Sequence, residues 1–277
     1  MLSKLIKHEL IATGRIMGIL YAVVGVIMAY ILGSYYIGKG GEATATTGQV
    51  LGMMALLIIS SCSFFLTVIV MISNFQRSLY GEQGYLSFTL PVKSTALLAS
   101  KVIVSTIWFI AAFVCLMGTM AIMYFVIKED YIGQESYAMI ESMLPMLLGG
   151  KSLATVIAAT VISLISFFIR FAVLSIEVYF AISLANTRHF QKKHLLWTIV
   201  FSMGIIYIAE SISTLISDNI DLGLAVTADK ITLITNTLQV GASATYVNLM
   251  TIIISLLFGV GFFYATHYVM NKKVNIG

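Results

Sequence analysis

Charge is scarce in this chain: only 10% of its 277 residues are Asp, Glu, Lys or Arg, against about 25% in soluble domains. With 59% apolar residues, that scarcity excludes an ordinary solvated surface and leaves no room for a separate soluble catalytic domain. Proline occurs only twice, a further departure from soluble composition. Cysteine also occurs twice, as Cys62 and Cys115, both inside apolar runs. That placement excludes a disulfide framework or a cysteine metal cluster and leaves them as packing residues. The net charge of +4 is spread over short loops, so no nucleic-acid partner is expected. No nucleophile elbow, zinc-ligand spacing or paired-carboxylate site occurs. His8, His189, His194 and His267 sit near predicted cytosolic interfaces, as headgroup or loop residues rather than ligands. Gly149, Gly150, Lys151 and Ser152 imitate the end of a phosphate-binding loop, but Pro145 stands where its first glycine belongs, and no strand precedes it. No cofactor or metal is expected on this chain.

What is present is six apolar runs: Ile16 to Ile37, Val50 to Ile72, Val102 to Ile127, Leu153 to Leu184, Leu196 to Ile216 and Tyr246 to Met270. Each reaches the roughly 20 residues that cross about 30 Å of hydrocarbon as helix. Backbone groups in lipid must be satisfied within the segment, and the runs lack the alternation of barrel strands. The predicted fold class is therefore an all-α membrane protein with six transmembrane helices in a single domain, 1–277, surrounded by the lipid bilayer.

The positive-inside rule orients it. One side collects Lys4, Lys7, Arg15, Arg77, Lys93, Lys101, Arg188, Lys192, Lys193, Lys272 and Lys273, and the other only Lys39, Lys128, Lys151 and Lys230. Both termini are predicted to be cytosolic. Leu2, Leu5, Ile6, Leu10 and Ile11 recur at helical spacing, which predicts an interfacial amphipathic helix over 1–15; the alternative is a cytosolic extension of the first span. On the outer side, 218–245 is too apolar for a solvated loop and too interrupted to span, which predicts a re-entrant or membrane-surface hairpin. No internal repeat stands out, so the inverted repeats of many secondary transporters are not supported.

Three ionisable residues fall within spans: Arg170, Glu177 and Glu210. Counted from Leu153, Arg170 lies about 26 Å into its span and Glu177 about 36 Å, near the inner boundary. The pair is expected to stabilise a cytosolic extension of the helix. Their separation of about 10.5 Å along the axis argues against a direct bond. Glu210 lies about 21 Å along the fifth span, in its outer half, beside Ser211, Ser213 and Thr214. It is the candidate for a substrate path, with a hydrated interface carboxylate as the alternative.

The segment 74–101, NFQRSLYGEQGYLSFTLPVKSTALLASK, falls between the second and third spans on the predicted cytosolic side. Gly81, Gly84 and Pro91 break helix there, and Phe75, Tyr80, Tyr85 and Phe88 add aromatic weight. Its run Gly84, Tyr85, Leu86, Thr89, Leu90, Pro91, Val92 resembles the first cytosolic loop of bacterial permease subunits of type-2 ATP-binding-cassette exporters. The resemblance extends more loosely to the basic start, the six spans and the long outer segment. It implies a plasma-membrane permease that is not itself an enzyme and exports a hydrophobic or amphipathic substrate such as a peptide or antimicrobial. Partner ATPase subunits would carry ATP and magnesium and dock through Phe75, Tyr80, Tyr85, Phe88 and Pro91, and a second permease subunit would complete the route. The competing classes are a stand-alone ion-coupled transporter using Arg170, Glu177 and Glu210, and a non-transporting scaffold or sensor.

Overall fold

The computed structural model of the chain describes residues 2–38, 47–81, 94–130, 153–187, 190, 193–220, 222–226, 231–235 and 245–272. Six long helices dominate: α1 (Leu2–Gly38), α2 (Thr47–Tyr80), α3 (Ser94–Asp130), α4 (Leu153–Ala185), α5 (His194–Asn219) and α6 (Leu249–Lys272). All six are long and apolar enough to cross a membrane. The chain is a multi-pass membrane protein, and its many exposed Ile, Leu, Val and Met side chains are what lipid-facing helices require.

The helices form two groups of three. α1, α2 and α3 pack on one another, as do α4, α5 and α6; α3 against α4 makes the main contact between the groups. That seam is aromatic. Phe64 of α2, Phe109 of α3 and Phe171 of α4 meet with ring centres 4.7–6.0 Å apart, and Phe113 meets Phe167 and Phe168 at 5.1 and 5.6 Å. At one end of the seam the Phe75 ring lies flat on Tyr179, centres 3.9 Å apart, within a core that includes Leu79, Leu98, Ile182 and Met270. Large planar side chains suit a lipid-embedded seam, where association depends on close packing rather than on escape from water.

Three sequence expectations change. Residues 2–15 do not form a separate helix; they are the first turns of α1, which runs unbroken for 37 residues, or about 56 Å, as in the alternative of an extension of the first span. They are held against the bundle by polar contacts described below. The ends of 74–101 are likewise helical, since α2 continues to Tyr80 and α3 begins at Ser94. Finally, 218–245 contains strands, so the fold is not purely helical. β1 (Gly223–Val226), β2 (Ile231–Ile234) and β3 (Thr245–Asn248) form an antiparallel sheet in the order β2-β1-β3. Val226, Ile231, Thr232, Ile234, Thr245 and Val247 make these short runs rich in β-branched residues, which favours pairing over a membrane helix. The Asn248 side chain ends the sheet and starts α6, accepting bonds from the amides of Met250 and Thr251 at 2.9 and 3.2 Å, a helix N-cap.

Candidate functional site

The three ionisable residues of the later spans come together. The Arg170 guanidinium on α4 donates from Nε to Glu210 Oε1 of α5 at 2.9 Å, and its Nη2 bonds the same oxygen. It also turns along its own helix to Glu177, with Nη1 to Oε1 at 3.2 Å and Nη2 to Oε2 at 3.5 Å. The expectation that seven residues is too far for a direct bond was wrong. Helical side chains lean toward the N-terminus, so Glu177 reaches back while the long Arg170 side chain reaches forward, and together they close the axial gap. Arg170 shares a cavity lining with Ser255 of α6, which stands about 9 Å along that helix from its start. Glu177 is 1% exposed and Glu210 is 49% exposed, so one carboxylate is locked inside and the other reaches the bundle surface.

Arg170 also lines a cavity of about 370 Å³ between α4 and α6, with Ser163, Ser166, Asn248, Thr251 and Ser255 around it. Past Ile169 this gives way to an apolar groove of about 360 Å³ bounded by Val173, Ile176, Gly259 and Phe263. Gly259 permits the close approach there, because a Cβ would stand 2.9 Å from Val173 Cγ2. On α5, Ala209, Ser213 and Ser217 form the buried stripe. Ser217 meets Thr251 of α6 at 3.1 Å, whereas Ser213 Oγ is buried with no hydrogen-bond partner among the described residues.

A second polar cluster joins the other three helices. Lys101 of α3, its side chain 2% exposed, donates to Glu9 Oε1 of α1 at 2.5 Å and to Ser78 Oγ of α2 at 2.7 Å. Asn74 Nδ2 donates to Glu9 Oε2 at 3.2 Å. Further along, Trp108 Nε1 donates to Thr13 Oγ1 at 2.9 Å, Tyr21 Oη lies 3.0 Å from Thr67 Oγ1, and Ser60 meets Thr119 at 2.7 Å. Sequence reasoning counted Lys101 only as a topology marker and passed over Glu9. The available signal was a lone acid in an otherwise basic N-terminal stretch.

Of the residues expected to dock an ATPase, Phe75 is 1% exposed and serves the internal stack on Tyr179. Tyr80 donates its hydroxyl to Ser183 Oγ of α4 at 2.7 Å. Both face inward because α2 continues as helix past the expected end of its span and carries them against α4. Tyr85, Phe88 and Pro91 lie outside the described residues. Among the described residues no group of three His, Cys, Asp or Glu side chains gathers to hold a metal ion. No protein-family model matches the chain, and neither the curated proteins nor the solved structures compared with it give a match.

Proposed function

We propose that this chain is the permease subunit of an ATP-driven exporter in a bacterial plasma membrane, paired with a second permease subunit and with cytosolic ATPase subunits. The observation that carries this reading is the run Gly84-Tyr85-Leu86 … Thr89-Leu90-Pro91-Val92, set between two helices that are tied firmly to the rest of the bundle. On the N-terminal side of the run, α2 is bound to α4 through Tyr80 and Ser183. On its C-terminal side, α3 is bound to α1 and α2 through Lys101. A displacement imposed on 82–93 by a partner would therefore be passed to both helix groups as a rigid-body movement.

In this reading both chain ends and the 82–93 segment are cytosolic, and the cargo is hydrophobic or amphipathic. The three-stranded sheet stands outside the hydrocarbon, because its open edges leave backbone groups that lipid cannot satisfy. Docking falls to Tyr85, Phe88 and Pro91, with Phe75 and Tyr80 transmitting the movement from inside. The test is whether an ATP-binding-cassette ATPase is encoded beside this chain's gene and copurifies with the chain. Tyr85→Ala combined with Phe88→Ala is expected to abolish copurification while membrane insertion is kept; full retention of the ATPase would refute the docking role. The intramembrane Arg170 triad favours one second reading, a stand-alone ion-coupled transporter. Uptake by the purified chain driven by an ion gradient, with no ATPase present, would establish it instead.

A further inference from the structure

We propose that the furrow between α4 and α6 binds one zwitterionic phospholipid of the leaflet on the sheet side, with its phosphate at Arg170 and one acyl chain in the apolar groove. The site does not depend on whether an ATPase drives transport.

Position is the first argument. The polar cavity and the apolar groove share Ile169, and together they follow α4 from Ser163 to Ile176 and α6 from Thr251 to Tyr264. Each stretch rises about 20 Å, the depth of one leaflet with its headgroups, which is half of about 40–45 Å. The polar part adjoins the sheet, since Asn248 of β3 lines it, and the sheet's open edges keep that end out of hydrocarbon. Polarity thus falls along the furrow in the same order, and over the same distance, as it does along a lipid molecule. Leu256, Val260 and Tyr264, spaced four residues apart, form an exposed stripe along one lip of the groove. An acyl chain can therefore enter sideways from the bilayer. At about 370 and 360 Å³, the two compartments each reach the size of small-molecule sites, about 300–1,000 Å³.

Head chemistry is the second argument. Among the described residues lining the polar cavity, Arg170 alone is charged. Its Nη1 carries two N–H groups, of which one is directed at Glu177, so one is left to donate. The Asn248 Oδ1 is taken up by the amides of Met250 and Thr251, which leaves its NH₂ group as a further donor. A phosphodiester accepts from such donors. The Ser166 hydroxyl donates to the Ile162 carbonyl at 2.8 Å and that of Ser255 to the Thr251 carbonyl at 2.7 Å. Each proton is spent on the helix, and the oxygen lone pairs remain to accept from an ammonium group. Arg170 already serves two carboxylates, so a head of net negative charge gains less here than one whose own ammonium balances its phosphate.

The test offers the delipidated full chain, in detergent, phosphatidylethanolamine, phosphatidylglycerol or diacylglycerol with the same acyl chains, and counts retained lipid by native mass spectrometry. One phosphatidylethanolamine per chain is expected, with phosphatidylglycerol held about tenfold less tightly and diacylglycerol lost. Ala172→Trp, which fills the groove, should abolish retention, and Arg170→Gln should weaken it about tenfold, as loss of a charge-assisted hydrogen bond does. In nanodiscs, phosphatidylethanolamine with a photoreactive diazirine on its acyl chain should label 169–176 and 256–264 of the unaltered chain. No retained lipid, equal retention of all three, a preference for phosphatidylglycerol, or retention unchanged by Ala172→Trp would overturn the proposal. So would labelling spread evenly over the helices, the mark of annular lipid only. Should a variant fail to insert, the lipid ranking and the labelling map of the unaltered chain decide, and failure of either counts against the site.

Discussion

The two three-helix groups handle buried polarity in opposite ways. In α1–α3 each buried charge has its counterpart: Lys101 matches Glu9, with Ser78 and Asn74 completing the contacts. In α4–α6 one guanidinium serves two carboxylates, a buried serine oxygen has no partner among the described residues, and two cavities lie between α4 and α6. Unpaired charge and empty volume both oppose folding, whereas satisfied networks make a region rigid and unique. The lesson is that the first group is built as a fixed frame and the second keeps chemistry available at a cost in stability.

Removing Lys101 gives the sharpest test. Lys101→Met should strand Glu9 and lower stability by about 3–5 kcal/mol, the usual cost of breaking a buried pair. Adding Glu9→Gln should restore much of it, read as the melting midpoint by intrinsic fluorescence in detergent. Arg170→Met comes next. It strands two carboxylates, but Glu210 is half exposed and the buried Glu177 can become neutral by taking up a proton, so the expected loss is about 1–3 kcal/mol. A loss at Arg170 equal to or above that at Lys101 would break the contrast between a closed group and an open one. The smallest effect is expected at the junction, where Tyr80→Phe removes one hydrogen bond to Ser183 and should cost about 1 kcal/mol with packing on Phe75 retained. A silent Tyr80→Phe would show that the groups are joined by ring packing alone.

Much of this architecture was legible in the chain. All six spans were, because apolar length is a local property and lipid leaves helix as the only continuous solution for each run. The boundaries were less so. Residues 2–15 and 74–80 carry enough polar side chains to read as separate elements, yet Glu9, Asn74 and Ser78 are polar because they bond across helices to Lys101 and to each other. The sheet was hidden for a different reason: its strands are four residues long, too short for periodicity to distinguish from an irregular apolar loop.

Site residues divide in the same way. Arg170, Glu177 and Glu210 could be singled out individually, since an ionisable group in an apolar run stands out by cost alone. Their union could not, because Glu210 is 40 positions from Arg170 and the depth of α4 relative to α6 depends on how far each helix projects. Phe75 and Tyr80 were visible as aromatic residues near helix breakers, but whether an aromatic ring faces a partner or its own core depends on which way the helix is turned. Composition and apolar length determined that this chain lives in a membrane as six helices and which few charges it carries there. Only the tertiary structure decided that those charges form one balanced clamp and one triad in which a guanidinium serves two carboxylates. Pairing depends on helix rotation and relative height, and these follow from side-chain packing between segments far apart in the chain.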